Sequence, residues 1–364
     1  MRQLLSILAA LLCVLPLAAR SQWTVGGTAY DIDTLERCDT VAPGVSYYKV
    51  GVPGMPLLVS VLQVDLANPE VQVEACLGAN RAVGRETPVS MARRNSYPGH
   101  RVVAAINGDF YMTKPKAEVG MPRSGQIGRN RMVVSPTGRA SLIIGNDRKP
   151  RIDRVDFLGS IVHDTATWHL HTVNMLRLER EKTGGNQTFL FTSDYGPATS
   201  DCPAGSGYKV LLRPAQVALN WRANSQELCV VDSIFPAAGC SVIPSGEAIL
   251  WFQGADTLHA LALAKGDTLR MSLRAVPRTA FVLGGIGELV GGSDHIILRD
   301  GKFADPWPQR HPRTCAGFAH GSQVLTLVVI DGRSKQSVGV TLREAADILL
   351  QLGLTEAVNL DGGG

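Results

Sequence analysis

An α+β fold is predicted, with a mixed β-sheet, a C-terminal βαβ unit and an antiparallel, β-rich middle section. Three observations carry the prediction. The chain of 364 residues has 38 glycines, more than the usual share, which implies many turns. Between residues 150 and 280, short apolar runs alternate with Gly, Pro, Asp and Ser. The C-terminal segment reads strand, helix, strand.

The elements follow in order. Arg2, an almost continuous apolar run from Leu4 to Leu17, and the small Ala18 and Ala19 have the layout of a signal peptide over 1–20. The run falls short of the ~20 residues a membrane span needs. Cys13 follows Leu12, without the small side chain expected before a lipid-modified cysteine. A secreted or periplasmic protein is expected, with no membrane span in the mature chain. Residues 21–45 are polar and read as an irregular lead-in. Leu57 to Asp65 and Val71 to Leu77 read as strands joined at Asn68-Pro69, and Val102 to Ile106 as a short strand ending at Asn107-Gly108. Phe157–Val162, Thr188–Thr192, Lys209–Leu212, Glu227–Val231 and Ile249–Phe252 supply the antiparallel middle. Neither a fixed repeat nor a low-complexity linker occurs, so one catalytic unit over 46–364 is expected.

The C-terminal unit is the most legible. Val324 to Ile330 is a strand that stops at Asp331-Gly332-Arg333. Thr341 and Glu344 have capping-box spacing, in which each side chain satisfies the other's backbone N–H. Leu342, Ala345, Ala346, Leu349 and Leu352 recur at helical spacing, and Gly353 is placed to end the helix. Ala357 to Leu360 is a second strand, ending at Asp361-Gly362-Gly363-Gly364. A βαβ unit has parallel strands and a right-handed crossover, so Asp331 and Asp361 should emerge at one sheet edge. If the Val102 strand runs parallel to them, Asn107 and Asp109 arrive there too. Ligands favour the carboxyl ends of such strands.

Composition excludes several classes. Apolar residues make up 45% and charged residues 19%, as in a packed globular chain, and a net charge of +4 without a basic run gives nucleic-acid binding no footing. All cysteines but Cys13 lie beyond the apolar run and none forms C-x-x-C, which argues against zinc and thioredoxin-like sites. Cys202, Cys229 and Cys240, near turn residues, suit disulfides better than Cys315 in its small-residue segment; the pairing stays open. His169 and His171 would share a strand face near His163, but no third ligand is evident, and no metal is expected. Gly284-Gly285-Ile286-Gly287 is not a dinucleotide fingerprint, and no cofactor is expected.

Four motifs follow one another in a familiar order: Asn107-Gly108-Asp109-Phe110, His311-Pro312-Arg313-Thr314, Asp331-Gly332-Arg333 with Ser337-Val338-Gly339 and Thr341, and Asn359-Leu360-Asp361-Gly362-Gly363-Gly364. In this order they resemble the phosphodiester glycosidase family, over about Val45 to Gly364. The family pattern places serines directly after the glycine run, where this sequence stops, which leaves truncation of the domain open. The resemblance implies cleavage between the anomeric carbon of a sugar of N-acetylglucosamine type and a phosphate oxygen. Its products are free sugar and phosphomonoester.

The transition state of such a reaction has oxocarbenium character, which a carboxylate stabilises. Asp361 is the first candidate for base or nucleophile, with Asp109 and Asp331 next. Arg313, presented by Pro312, suits the phosphate as a forked donor, with Arg333 second. His311 can add a donor or move a proton. Asn107 and Asn359 suit sugar hydroxyls or an acetamido group. Thr314 joins the binding set, and Gly362 and Gly363 allow backbone N–H groups to approach an anion. Each also has a plainer role. Asp331 can simply shape its turn, Phe110 and Tyr111 can pack in the core, and Glu344 belongs to the capping box. Two other functions fit the same residues: a phosphodiesterase cutting the P–O bond, and a secreted glycan-binding protein without catalysis.

Overall fold

The computed structural model describes residues 21–114, 118–176, 185–216 and 218–363. The expected signal peptide over 1–20 lies outside the described residues. The protein is mostly β with few helices, rather than α+β. Repeated two-residue alternation, punctuated by Gly and Pro, leaves only the segment after Thr341 with a sustained helical apolar stripe.

Along the chain, β1 (Gln22–Val25), β2 (Thr28–Asp31), β3 (Asp33–Ala42), β4 (Val45–Val52) and β5 (Leu57–Asp65) come first. The middle contributes β6 (Gln126–Gly128), β7 (Arg131–Val134), β8 (Ala140–Gly145), β9 (Pro150–His163), β10 (Ala166–Leu170), β11 (Thr172–Val173), β12 (Gln187–Thr192), β13 (Tyr208–Pro214), β14 (Ser225–Pro236), β15 (Ala248–Gln253) and β16 (Thr268–Pro277). The last are β17 (Ile286–Gly291), β18 (Ile296–Arg299), β19 (Lys302–Phe303), β20 (Arg313–Phe318), β21 (Val324–Ile330) and β22 (Glu356–Leu360).

The middle forms one large sheet in the order β11-β12-β15-β13-β14-β16-β9-β8-β17-β6-β7, with β10 added to β9. The expected antiparallel runs all lie in it, and its ends curl toward each other. The backbone N–H of Ser135, just beyond β7, donates to Val173 O at 3.2 Å. Asn174 Nδ2 donates to Val133 O at 2.8 Å. Its interior is filled by Trp221, Leu250, Phe252, Met271 and their neighbours.

The second sheet has the order β19-β18-β22-β20-β21-β5-β4-β3, and every neighbouring pair is antiparallel. The β21–helix–β22 unit is present, but its two parallel strands are not adjacent: β20 lies between them, antiparallel to both. Because β20 begins where β21 and β22 end, it brings its own first residue to their shared edge. One face, with Val61, Cys315 and Val328, packs against the Leu342–Gln351 helix. The other, with Ala316, Val358 and Leu360, packs on Ala140, Leu142 and Ile144 of the large sheet.

The helix is capped as its sequence predicts. Thr341 Oγ1 accepts from Glu344 N at 3.2 Å, and Thr341 N donates to Glu344 Oε2 at 2.9 Å. Gly353, at φ +78°, ends it. Among the described residues no helix is long and apolar enough to cross a membrane.

Three local expectations need correction. Residues 21–45 are not irregular, since they carry β1, β2 and β3. The polar, exposed β3 reads as loop by composition and is fixed by its ladder to β4. Val71–Leu77 forms no ladder because side chains take its backbone groups instead: Glu288 accepts from Ala75 N, and Arg148 donates to Val71 O. Val102–Ile106 is likewise no strand; Val103 to Ala105 are exposed, and Val102 N donates to Ser96 Oγ. The cysteines beyond the apolar run are free, with Cys202, Cys229 and Cys315 buried.

Candidate active site

The shared edge gathers most of the predicted residues. Arg313 opens β20 opposite Ile330, directly before Asp331, while Thr314 pairs with Leu360, directly before Asp361. The 107–109 loop reaches the same edge without being a strand. Asp361 N donates to Gly108 O at 2.9 Å, and a Cβ on Gly363 would stand 2.9 Å from Asn107 Nδ2.

Arg313 is only 2% exposed. Its Nε donates to Val340 O at 3.2 Å, its Nη2 to Gln309 O at 2.9 Å, and the guanidinium stacks 4.6 Å above the Trp307 ring. Among the described residues Nη1 has no hydrogen-bond partner and no carboxylate forms an ion pair with the group. Burial pulls its pKa below the ordinary arginine value. A buried cation held only by carbonyls and a ring face is costly until an anion joins it.

The neighbours of Arg313 add positive charge. Arg333, at φ +57°, donates to Gly363 O at 3.4 Å and places Nη2 3.5 Å from His311 Nδ1. Arginine only donates, so Nδ1 is the acceptor and the neutral ring carries its proton on Nε2. Burial first, then Arg313 and Arg333, lower the His311 pKa and favour that neutral form. Asp361 Oδ1 accepts from Gly363 N at 3.0 Å, which commits that N–H to the carboxylate rather than to a ligand. Asp331 is fixed through its backbone: its N–H donates to Leu58 O and its carbonyl accepts from Ser337 Oγ at 2.6 Å.

Glycine is required around Pro312 for steric reasons. A Cβ on Gly332 would lie 2.6 Å from Pro312 N, and one on Gly339 2.5 Å from His311 O. A Cβ on Gly362 would collide with Pro312 O. Backbone therefore packs on backbone at the start of β20.

Asn359 is 1% exposed and carries an unsatisfied atom. Its Nδ2 donates to Ser293 Oγ at 3.1 Å. That hydroxyl also accepts from His295 N and donates to Asn359 O, so its capacity is used. Among the described residues Asn359 Oδ1 has no partner, and neither does the buried Nδ1 of His295. His295 stands opposite Asn359 across β18 and β22, its ring 4.9 Å from Trp307. Ser293, His295 and Trp307 were not anticipated from sequence. The Pro306-Trp307-Pro308 run just before His311 was the available signal. Alternation along β20 puts Thr314, also buried, on the face opposite Arg313.

Asp109 lies on the inter-sheet side. Ser124 N donates to its Oδ2 at 2.6 Å, and Ser124 Oγ lies 2.9 Å from Oδ1. Burial pushes the carboxyl up to about 7, against the lowering pull of Ser124, Arg139 and Phe110 N. The histidine cluster is separate: His171 Nδ1 accepts from Thr188 N at 2.9 Å, so its proton sits on Nε2 and that nitrogen offers a metal no lone pair.

Residues 223–364, which include Arg313, Asp331 and Asp361, match the family model described as phosphodiester glycosidase. Over this segment, well under half of the chain, the protein is similar to the phosphodiester glycosidase family. Asn107 and Asp109 lie outside the matched residues. The fold resembles that of a hypothetical protein from Synechocystis, with a TM-score of 0.68 at 18% identity, over 93% of this chain and 59% of that one. The chain thus spans less than two thirds of that protein's length. A candidate exported protein of Burkholderia pseudomallei K96243 aligns with a TM-score of 0.64 at 20% identity, covering 85% of this chain and 68% of that one. The catalytic domain of zebrafish N-acetylglucosamine-1-phosphodiester alpha-N-acetylglucosaminidase gives a TM-score of 0.39 at 11% identity, over 93% and 77%. No curated protein matches the chain.

Proposed function

We propose that this protein is an exported phosphodiester glycosidase, a hydrolase that cleaves the bond between a sugar's anomeric carbon and a phosphodiester oxygen. The observation that carries the reading is Arg313, a buried guanidinium with a free donor and no ion pair among the described residues, at the edge that also presents Asp361. An anionic phosphodiester supplies the missing countercharge.

In this reading Arg313 Nη1, Arg333 and the Nε2–H of His311 hold the phosphate. The departing phosphomonoester has a second pKa near ~6, so it leaves without strong acid help, and charge stabilisation is the main requirement. Asp361, held in place by Gly363 N, stabilises the oxocarbenium-like centre and acts as base or nucleophile. Asp331 shapes the loop that presents Arg333. Asn107 and Asn359 face the sugar, and the unsatisfied Asn359 Oδ1 suits an N–H such as that of an acetamido group.

Hydrolysis of an N-acetylglucosamine-1-phosphodiester in 18O water, with both products weighed by mass spectrometry, tests this. Label in the sugar and none in the phosphomonoester supports C–O cleavage. Label in the phosphate replaces the reading with a phosphodiesterase. Tight binding of the substrate without turnover replaces it with a glycan-binding protein.

A further inference from the structure

The hydroxyl of Ser124 holds one proton and faces two oxygens. It is 2.6 Å from Gly292 O and 2.9 Å from Asp109 Oδ1. A carbonyl oxygen can only accept, and an O···O contact of 2.6 Å needs a hydrogen between the atoms. The Ser124 proton therefore belongs to Gly292 O. The Asp109–Ser124 contact then needs a second proton, and Asp109 is the only group left to carry it.

We infer that Asp109 is a protonated positioning residue, donating through Ser124 to the backbone of Gly292, and not the base or nucleophile of this site. The connections run to the site on both sides. Gly108, the residue before Asp109, accepts from Asp361 N at 2.9 Å. Gly292 packs so closely on β22 that a Cβ there would lie 2.7 Å from Asn359 O, and Ser293 N donates to the same oxygen at 3.0 Å. Asp109 thus ties the 107–109 loop, the Ser124 segment and the 291–293 turn to the end of β22. Both of its oxygens already face Ser124, which directs its proton away from a ligand.

Burial supports the neutral form, since it pushes the carboxyl up to about 7. The charged group that acts on it is Arg139, itself ion-paired to Asp294 at 3.2 Å. When Asp109 ionises, the Ser124 proton must turn to it, and the bond to Gly292 O is lost.

Only the kinetic part of the test rests on the glycosidase reading. Asp109→Asn mimics the protonated acid: its Nδ2 can donate to Ser124 Oγ and its Oδ1 can accept from Ser124 N. Thermal unfolding of the wild type and Asp109→Asn is compared from pH 5 to 8. A folded-state pKa raised above the unfolded value means stability is lost as pH rises toward about 7. The wild type should lose melting temperature relative to Asp109→Asn across that range. Glu288, also pushed up to about 7, titrates in both proteins and cancels. In the kinetic arm Asp109→Asn should keep kcat/KM within about threefold at pH 5.5 and lack an alkaline decline seen in the wild type. A constant melting difference would overturn the inference whether or not the chain hydrolyses anything. So would a folded Asp109→Asn protein that loses about a hundredfold or more in kcat, which would make Asp109 catalytic. Absence of turnover in the wild type overturns the proposed function alone, and the melting comparison still decides the role of Asp109.

Discussion

His311 Nδ1 faces Arg333 Nη2 at 3.5 Å, and this one contact fixes which imidazole nitrogen is free. The ring is held neutral beside two guanidinium groups, with its N–H turned away from Arg333. NMR titration of His311 should give a midpoint below the ordinary ~6.5. Arg333→Ala should move that midpoint upward, because Arg333 is one of the causes that lower it. The sign for stability follows: the unfolded state binds the proton more readily, so this contribution is lost as pH falls below ~6.5. An unchanged midpoint in Arg333→Ala would show that the contact does not persist in solution.

Asp361→Asn should reduce kcat by about a hundredfold or more while leaving substrate affinity within a few fold, measured by turnover and by calorimetric titration. The amide cannot act as base or nucleophile. Its oxygen can still accept from Gly363 N, so the loop should keep its shape. Retained turnover would remove Asp361 from the chemistry.

Inorganic phosphate should raise the melting temperature of the wild type, and much less that of Arg313→Met. A ligand bound only by the folded state at about a hundred times its Kd adds about 2.7 kcal/mol. Methionine approximates the length of the arginine stem and still packs on Trp307, but offers no charge. Equal shifts in both proteins would place the phosphate elsewhere.

Gly362→Ala should lower unfolding free energy by about 2 kcal/mol or more, because its Cβ would meet main-chain atoms that cannot rotate away. Urea titration measures it. Gly27→Ala is the control for steric fit, as a Cβ there has nothing within 4 Å, though its φ of +81° still carries backbone strain.

Asn359→Ala should change stability by no more than about 1 kcal/mol despite complete burial, because it removes an unsatisfied oxygen together with one hydrogen bond. If Oδ1 reads a sugar substituent, kcat/KM should still fall by about tenfold or more. Substrates lacking an N–H donor should show a smaller loss than those carrying one.

Much of this was legible in the chain. The Val324–Ile330 strand, the Thr341–Glu344 cap and the run into Asp361 were readable because each signal is local: an apolar run, a side-chain pair three residues apart, an Asx-Gly stop. From those, the shared position of Asp331 and Asp361 followed from the parallel course of the two strands of a βαβ unit. The antiparallel insertion of β20 did not follow, since register is set by distant partners. Val71–Leu77 was misread because its apolar alternation is real, while its backbone groups are taken by Glu288 and Arg148. Ser124 gave no signal. It lies far from Gly292 in sequence, and its role arises only where the two sheets meet.

The three glycines around Pro312 separate two kinds of change. The course of the chain into Arg313 is fixed by main-chain contacts, with no side chain at Gly332, Gly339 or Gly362 to be exchanged. Asn107 and Asn359 project from other segments and can vary without moving that course. Under the proposed reading, a site built this way can alter which sugar it accepts while its hold on phosphate stays unchanged. An engineer seeking a new sugar preference would begin with the asparagines and leave the glycines alone.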